Sequence, residues 1–168
     1  MTWFAFWLIL HILGAFVAFG PSFAFGLIVA ASRKEPQHAR FALHVIETIS
    51  KRMTIPIAVL VPLFGVALIY TAPGHIDLWK SEWLIISIVL YMGAFFFGLF
   101  VQLPREAKML AAMDALPPGP PPEGAGGPPP HIAAMGKRLQ FGGMYMSLSV
   151  VVILVLMVWR PGNCQGIC

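Results

Sequence analysis

Four long apolar runs, separated by shorter polar stretches, set the pattern of this chain: Trp3–Ala31, Met53–Thr71, Trp83–Leu103 and Leu139–Trp159. A bilayer core takes about 20 apolar residues in helical form, and each run meets or nearly meets that length. The runs predict an all-α polytopic membrane protein, a four-transmembrane-helix bundle. They take up most of the 168 residues, so the whole chain, 1–168, reads as one membrane domain.

The polar stretches carry their own periodicity. Glu35-Pro36 ends one helix and starts another, because proline cannot donate to the preceding turn. Over residues 37–52, Arg40, His44, Glu47 and Lys51 fall on one helical face, and Phe41, Val45 and Ile49 on another. This predicts an amphipathic cytoplasmic helix leading into the second span. Its polar stripe reads as a solvated face with a Glu47–Lys51 pair four residues apart; the alternative is a site for a cytoplasmic partner or ligand. The third helix is expected to continue past Pro104 to Met113. Residues 117–130 then form a Pro/Gly-rich cytoplasmic loop, which cannot build a core and reads as a tether.

Within the spans, small and polar residues mark the faces that pack, because membrane helices approach one another through them. His11, Ala15, Ala18 and Ser22 share a face of the first span, with Gly14 beside it, and Ser87, Tyr91, Ala94, Gly98 and Gln102 line up in the third. The second offers Thr54, Ala58, Pro62 and Gly65, and the fourth Gly143 and Ser147. Pro56, Pro62 and Gly20-Pro21 bend their helices, with neighbours re-satisfying the freed carbonyls.

Composition agrees, with 58% hydrophobic and 11% charged residues. The net charge of +4 is not arranged as a nucleic-acid groove, and its placement reports topology instead. Arg33, Lys34, Arg40, Lys51 and Arg52 follow the first span; Arg105, Lys108, Lys137 and Arg138 follow the third. The other side carries Lys80 and Arg160. Lys/Arg excess marks the cytoplasmic side, so both termini are expected outside. The first span lacks a positive leader and is too long for a secretory signal, so it reads as a retained anchor.

His11 is the candidate for chemistry, since an ionisable group inside a span is costly and faces the protein interior. It sits about 12 Å below Trp3, at 1.5 Å per residue. Tyr91 and Met92 fall at a similar depth. A neutral imidazole there is able to ligate haem iron, to bind copper with a methionine, to transfer protons, or to serve structure through a hydrogen bond to Tyr91. His75 lies in the outer loop; His38, His44 and His131 belong to the cytoplasmic side, too far to share a metal with His11. Cys164 and Cys168 close the chain, and on an oxidising outer face they are expected to form a local disulfide. No haem-attachment, Walker, nucleophile-elbow or paired-carboxylate motif occurs, and no catalytic residue is assigned.

Leu10-His11-Ile-Leu-Gly14, the Glu47…Lys51-Arg52 lead into Pro56…Gly65, and the closing Leu156-Met157-Val158-Trp159-Arg160-Pro161-Gly162 resemble an uncharacterised bacterial family of predicted integral membrane proteins. More remotely the chain is similar to the copper-resistance D-type and J-type protoporphyrinogen oxidase four-helix membrane proteins. The haem-synthesis resemblance implies a haem-binding first-span histidine, which His11 matches in position and in the following Ile-Leu. Those relatives also place a basic residue in the third span, whereas Tyr91–Gln102 contains none. The histidines and methionines of the copper-resistance type have no match here. The preferred functional expectation is an accessory or structural subunit of a respiratory or photosynthetic electron-transfer complex in the bacterial cytoplasmic membrane. Its main rival is a haem b-binding redox protein or porphyrin enzyme centred on His11, with Tyr91 and Met92 near the cofactor; copper handling is a weaker one.

Overall fold

The computed structural model describes residues 2–32, 34–74, 76–116 and 129–161. The expected Cys164–Cys168 disulfide, His75 and most of the Pro/Gly segment lie outside the described residues. Among the described residues all regular structure is helical, and four helices are long and apolar enough to cross a membrane.

The first helix, α1, is Trp3–Ser32. A 3-10 turn at Pro36–His38 leads into α2, Ala39–Ile49, which passes through a π-helical turn at Ser50–Thr54 into α3, Ile55–Thr71. After a short turn at Leu78–Lys80, α4 runs Glu82–Phe97 and continues through a second π-helical turn, Gly98–Gln102, into α5, Leu103–Asp114. The last helix, α6, is Pro130–Trp159. It begins earlier than the apolar run at Leu139, because Pro130 suits the first helical turn and Ala133, Ala134 and Lys137 are good helix formers. At 1.5 Å per residue these helices exceed a hydrocarbon core of about 30 Å. The surplus lies at the end carrying Lys51, Arg52, Arg105, Lys108, Lys137 and Arg138. The opposite end exposes Trp3, Tyr70, Trp79 and Trp159, an aromatic belt of the kind that settles at headgroup level.

Two antiparallel helix pairs build the bundle: α1 lies along α3, and α4 along α6. The α1–α3 seam is close because Gly14 leaves Val61 Cγ2 only 3.2 Å from where a Cβ would stand. Ala18, Ala58 and Val61 are buried there, with Phe19, Tyr91 and Phe95 packed against them. The α4–α6 seam buries Ser87, Ala94, Gln102, Gly142 and Ser149. The fourth span therefore turns Gly142 and Ser149 inward, where the sequence pointed to Gly143 and Ser147. The Gly142-Gly143 pair carries no side chain to fix the helical phase. A Cβ on Gly143 would meet open space, whereas one on Gly142 would strike α4. Buried hydroxyls fold back on their own helices: Ser87 donates to Trp83 O at 2.7 Å and Ser149 to Tyr145 O at 2.9 Å.

Candidate functional site

Pro62, inside α3, organises the half of the bundle nearer the termini. Pro62 has no N–H, so the carbonyl four residues back, Ala58 O, loses its helical donor. Tyr91 of α4 supplies the replacement, its hydroxyl donating to Ala58 O. One turn on, the His11 imidazole of α1 meets Val61 O at 2.9 Å through Nδ1. A carbonyl only accepts, so Nδ1 carries the proton and Nε2 keeps its lone pair. Gly65 makes room for this ring: a Cβ there would stand 3.3 Å from His11 Cε1. His11 and Tyr91 thus each tie a neighbouring helix to α3 through separate backbone carbonyls, and not to each other. Tyr91 is further held by an edge contact with Phe19 (6.0 Å between centroids) and by stacking on Phe95 (6.2 Å). Met92 follows on α4, partly buried, about 100° round the helix from Tyr91.

Below this layer an apolar cavity of about 60 Å³ lies between the helix pairs, with Phe19, Ala58, Tyr91, Ala94, Gly98 and Met146 in its wall and Thr54 at its basic end. His11 is not part of its lining. Deeper towards the basic end, Gln102 donates through Nε2 to Leu139 O at 3.0 Å, and its Oε1 lies against Gly142 without a hydrogen-bond partner. One turn further, the Glu106 carboxyl stands beside Ser50 and Glu47, with its Oε2 buried and without a hydrogen-bond partner. Glu47 is itself paired with Lys51 at 2.7 Å. Arg40 reaches the other end of α5, donating through Nη2 to Met113 O and Leu116 O at 2.8 Å each, and stands 3.5 Å from Asp114. His44 stands 3.4 Å from the same carboxylate. Arg40 and His44 of the amphipathic stripe therefore fasten the C-terminal end of α5 and the turn after it, where Met113 O otherwise accepts only from the turn N–H groups of Ala115 and Leu116. His38 lies beside Glu35 at 3.6 Å, and His131 is exposed at the start of α6. Among the described residues no three His, Cys, Asp or Glu side chains come together as a metal site.

Sequence reasoning singled out His11 and Tyr91 and placed Gln102 on a packing face, but it missed the buried Glu106 carboxyl beside Ser50 and the clamp on α5. A carboxylate four residues past Gln102, on the same helical face, is the one signal that pointed to Glu106. The clamp had no local signal, since Arg40 and Asp114 are far apart in the chain.

These features define a helical membrane protein whose four spans are fastened by side chain-to-backbone bonds within the bilayer. The chain belongs to the family described as predicted integral membrane protein (DUF2269), which it matches over residues 6–161. No curated protein and no solved structure matches it.

Proposed function

We propose that this protein is an accessory or structural subunit of a larger electron-transfer complex in the bacterial cytoplasmic membrane, with both termini on the outer side. The observation that carries this reading is the engagement of the interior polar side chains. His11, Tyr91 and Gln102 each bond a carbonyl on another helix, which serves the rigidity of the bundle. Such bonds average about 0.6 kcal/mol in a membrane protein, rising to about 1.7. Orientation rests on the basic end, which belongs in the cytoplasm by the Lys/Arg rule.

Haem at His11 remains the second reading, because one observation favours it: the Nδ1 bond to Val61 O leaves Nε2 in the form that ligates iron. The interior does not fit the group. A porphyrin is many times larger than a cavity of about 60 Å³, and His11 does not face that cavity. A haem on Nε2 would lie at the bundle surface, covered by lipid or by another subunit.

The deciding experiment is mild-detergent purification from the native membrane, followed by subunit analysis and a visible spectrum with a pyridine haemochrome assay. Stoichiometric co-purification of other subunits, with any pigment leaving with them, is expected. A chain that runs alone and keeps haem b, losing it in His11→Ala but not in His44→Ala, would replace the subunit reading with the haem reading.

A further inference from the structure

At the basic end, α2 and α5 extend the second and third spans and pack on one another. Each joins its span through a π-helical turn, Ser50–Thr54 before α3 and Gly98–Gln102 after α4. Turns of this kind recur at functional sites. The α2–α5 contact is held differently at its two ends. At one, Arg40 and His44 fasten the end of α5 and the turn after it. At the other, Glu106 of α5 stands beside Glu47 of α2 and Ser50.

Charge at this second end does not balance. Two carboxyls share one ammonium, that of Lys51, and Lys51 already holds Glu47 Oε1 at 2.7 Å. Glu106 Oε2 is buried without a hydrogen-bond partner, and Ser50 beside it is buried. On α5 and the turn before it, the positions three and four residues from Glu106 are Gln102, Leu103, Met109 and Leu110, none of them charged. Arg105 and Lys108, one and two residues away, do not share its face. Among the described residues the charges that act on Glu106 are Glu47 and Lys51; His131, Lys137 and Arg138 of α6, which also packs on α5, do not. A carboxylate oxygen cut off from water, without a donor and next to a like charge, is costly, whereas the neutral acid costs far less.

We propose that Glu106 binds a proton in the closed bundle and that this proton latches α2 against α5. Its release lets the two helices separate at this end while Arg40 holds the other. Glu106 is only partly buried, so the proton exchanges with water without unfolding of a span. Once the contact opens, the carboxyl returns to water and ionises as an ordinary glutamate, so the closed form carries one proton more than the open form. The contact is therefore tightest in acid. It weakens as pH rises through the titration of the closed form, the opening equilibrium growing by up to about tenfold per pH unit. His44, beside Asp114, loses charge over a neighbouring range and acts in the same direction, so the two groups have to be separated by experiment. The latch is independent of the subunit and haem readings.

The test is infrared spectroscopy and hydrogen exchange of the full chain in phosphatidylcholine nanodiscs between about pH 6 and about pH 9, ordinary carboxyls being ionised throughout that range. One protonated-carboxyl C=O band is expected at the acid end, lost as the pH is raised and absent from Glu106→Gln. Opening at amides 43–50 and 103–110, corrected for intrinsic exchange, should increase with pH by up to about tenfold per unit. Glu106→Gln keeps a neutral side chain of the same shape and should hold protection at the acid level throughout. Glu47→Gln removes the like charge and should move the titration to lower pH, whereas His44→Gln should leave the dependence in place. If Glu106→Gln does not fold, the wild-type band and its displacement in Glu47→Gln decide the matter. No carboxyl band at the acid end, a band indifferent to Glu47→Gln, protection indifferent to pH, or a pH dependence that persists in Glu106→Gln or vanishes with His44→Gln would overturn the proposal.

Discussion

Gly142→Ala is the sharpest probe of how α4 and α6 are joined. A Cβ at this position would overlap Gln102 Oε1 outright, and it would stand 3.0 Å from Gln102 Cδ and 3.3 Å from Phe97 Cε1. Gln102 is only 8% exposed, so its amide cannot swing away without giving up the bond to Leu139 O. Overpacking of this kind costs about 1–3 kcal/mol, and the lost interhelical bond adds about 0.6–1.7 kcal/mol. Against this, alanine improves helix propensity over glycine by about 1 kcal/mol. The net is a destabilisation of about 1–4 kcal/mol, read as a shift in reversible unfolding by sodium dodecyl sulfate in mixed micelles. Gln102→Ala in the same background should relieve the clash, so the double variant should be more stable than the sum of the singles by about 1 kcal/mol. Gly98→Ala supplies the control. Its added Cβ would meet Met146 Cε at 3.0 Å, the free end of a flexible side chain that is able to move. If Gly142→Ala is as stable as the wild type, or its effect is additive with Gln102→Ala, the close approach described for Gly142 is wrong.

Tyr91→Phe should cost about 1–2 kcal/mol in the same assay, because it leaves Ala58 O without a donor inside the bilayer. In a Pro62→Ala background the helix supplies its own N–H and the cost should shrink; an unchanged cost refutes the repair of the proline break by Tyr91. Gly65→Ala should weaken the bundle less than Gly142→Ala does, because the His11 ring needs to yield only slightly from a Cβ 3.3 Å away. Unfolding titrations that place the two variants in the reverse order would contradict this. Arg40→Gln removes two bonds to carbonyls at and just past the end of α5, so hydrogen exchange of amides 111–116 should accelerate while that of α4 stays unchanged. Equal protection in variant and wild type would show that the clamp does not hold the helix end.

What could be read from the chain divides by the range of the interaction. The spans were legible because bilayer thickness acts on each apolar run separately, with no need to know its neighbours. The interior placement of His11 was legible for a similar reason, since the cost of an ionisable group in hydrocarbon is a property of its depth. The need for a donor near Pro62 was also local, because a helix proline always frees the carbonyl four residues back. Which residue answers that need was not. Tyr91 and His11 are candidates at one depth, and the sequence suggested a bond between them. Around Pro62 α3 presents two carbonyls, however, and each side chain takes the one on its own side of the helix. The Gly142-Gly143 pair shows the same limit from the other direction: small residues announce a close approach without saying which of them bears it. In this bundle the placing is done by polar atoms, since lipid is as apolar as leucine and gives helices no hydrophobic reason to choose a register. Gln102 fixes α6 by finding Leu139 O, and Gly142 permits that reach. The register of these spans therefore depends on a few side chain-to-carbonyl bonds, which is why substitutions at Gly142, Pro62 and Tyr91 should report on architecture more strongly than changes at the far more numerous lipid-facing leucines and phenylalanines.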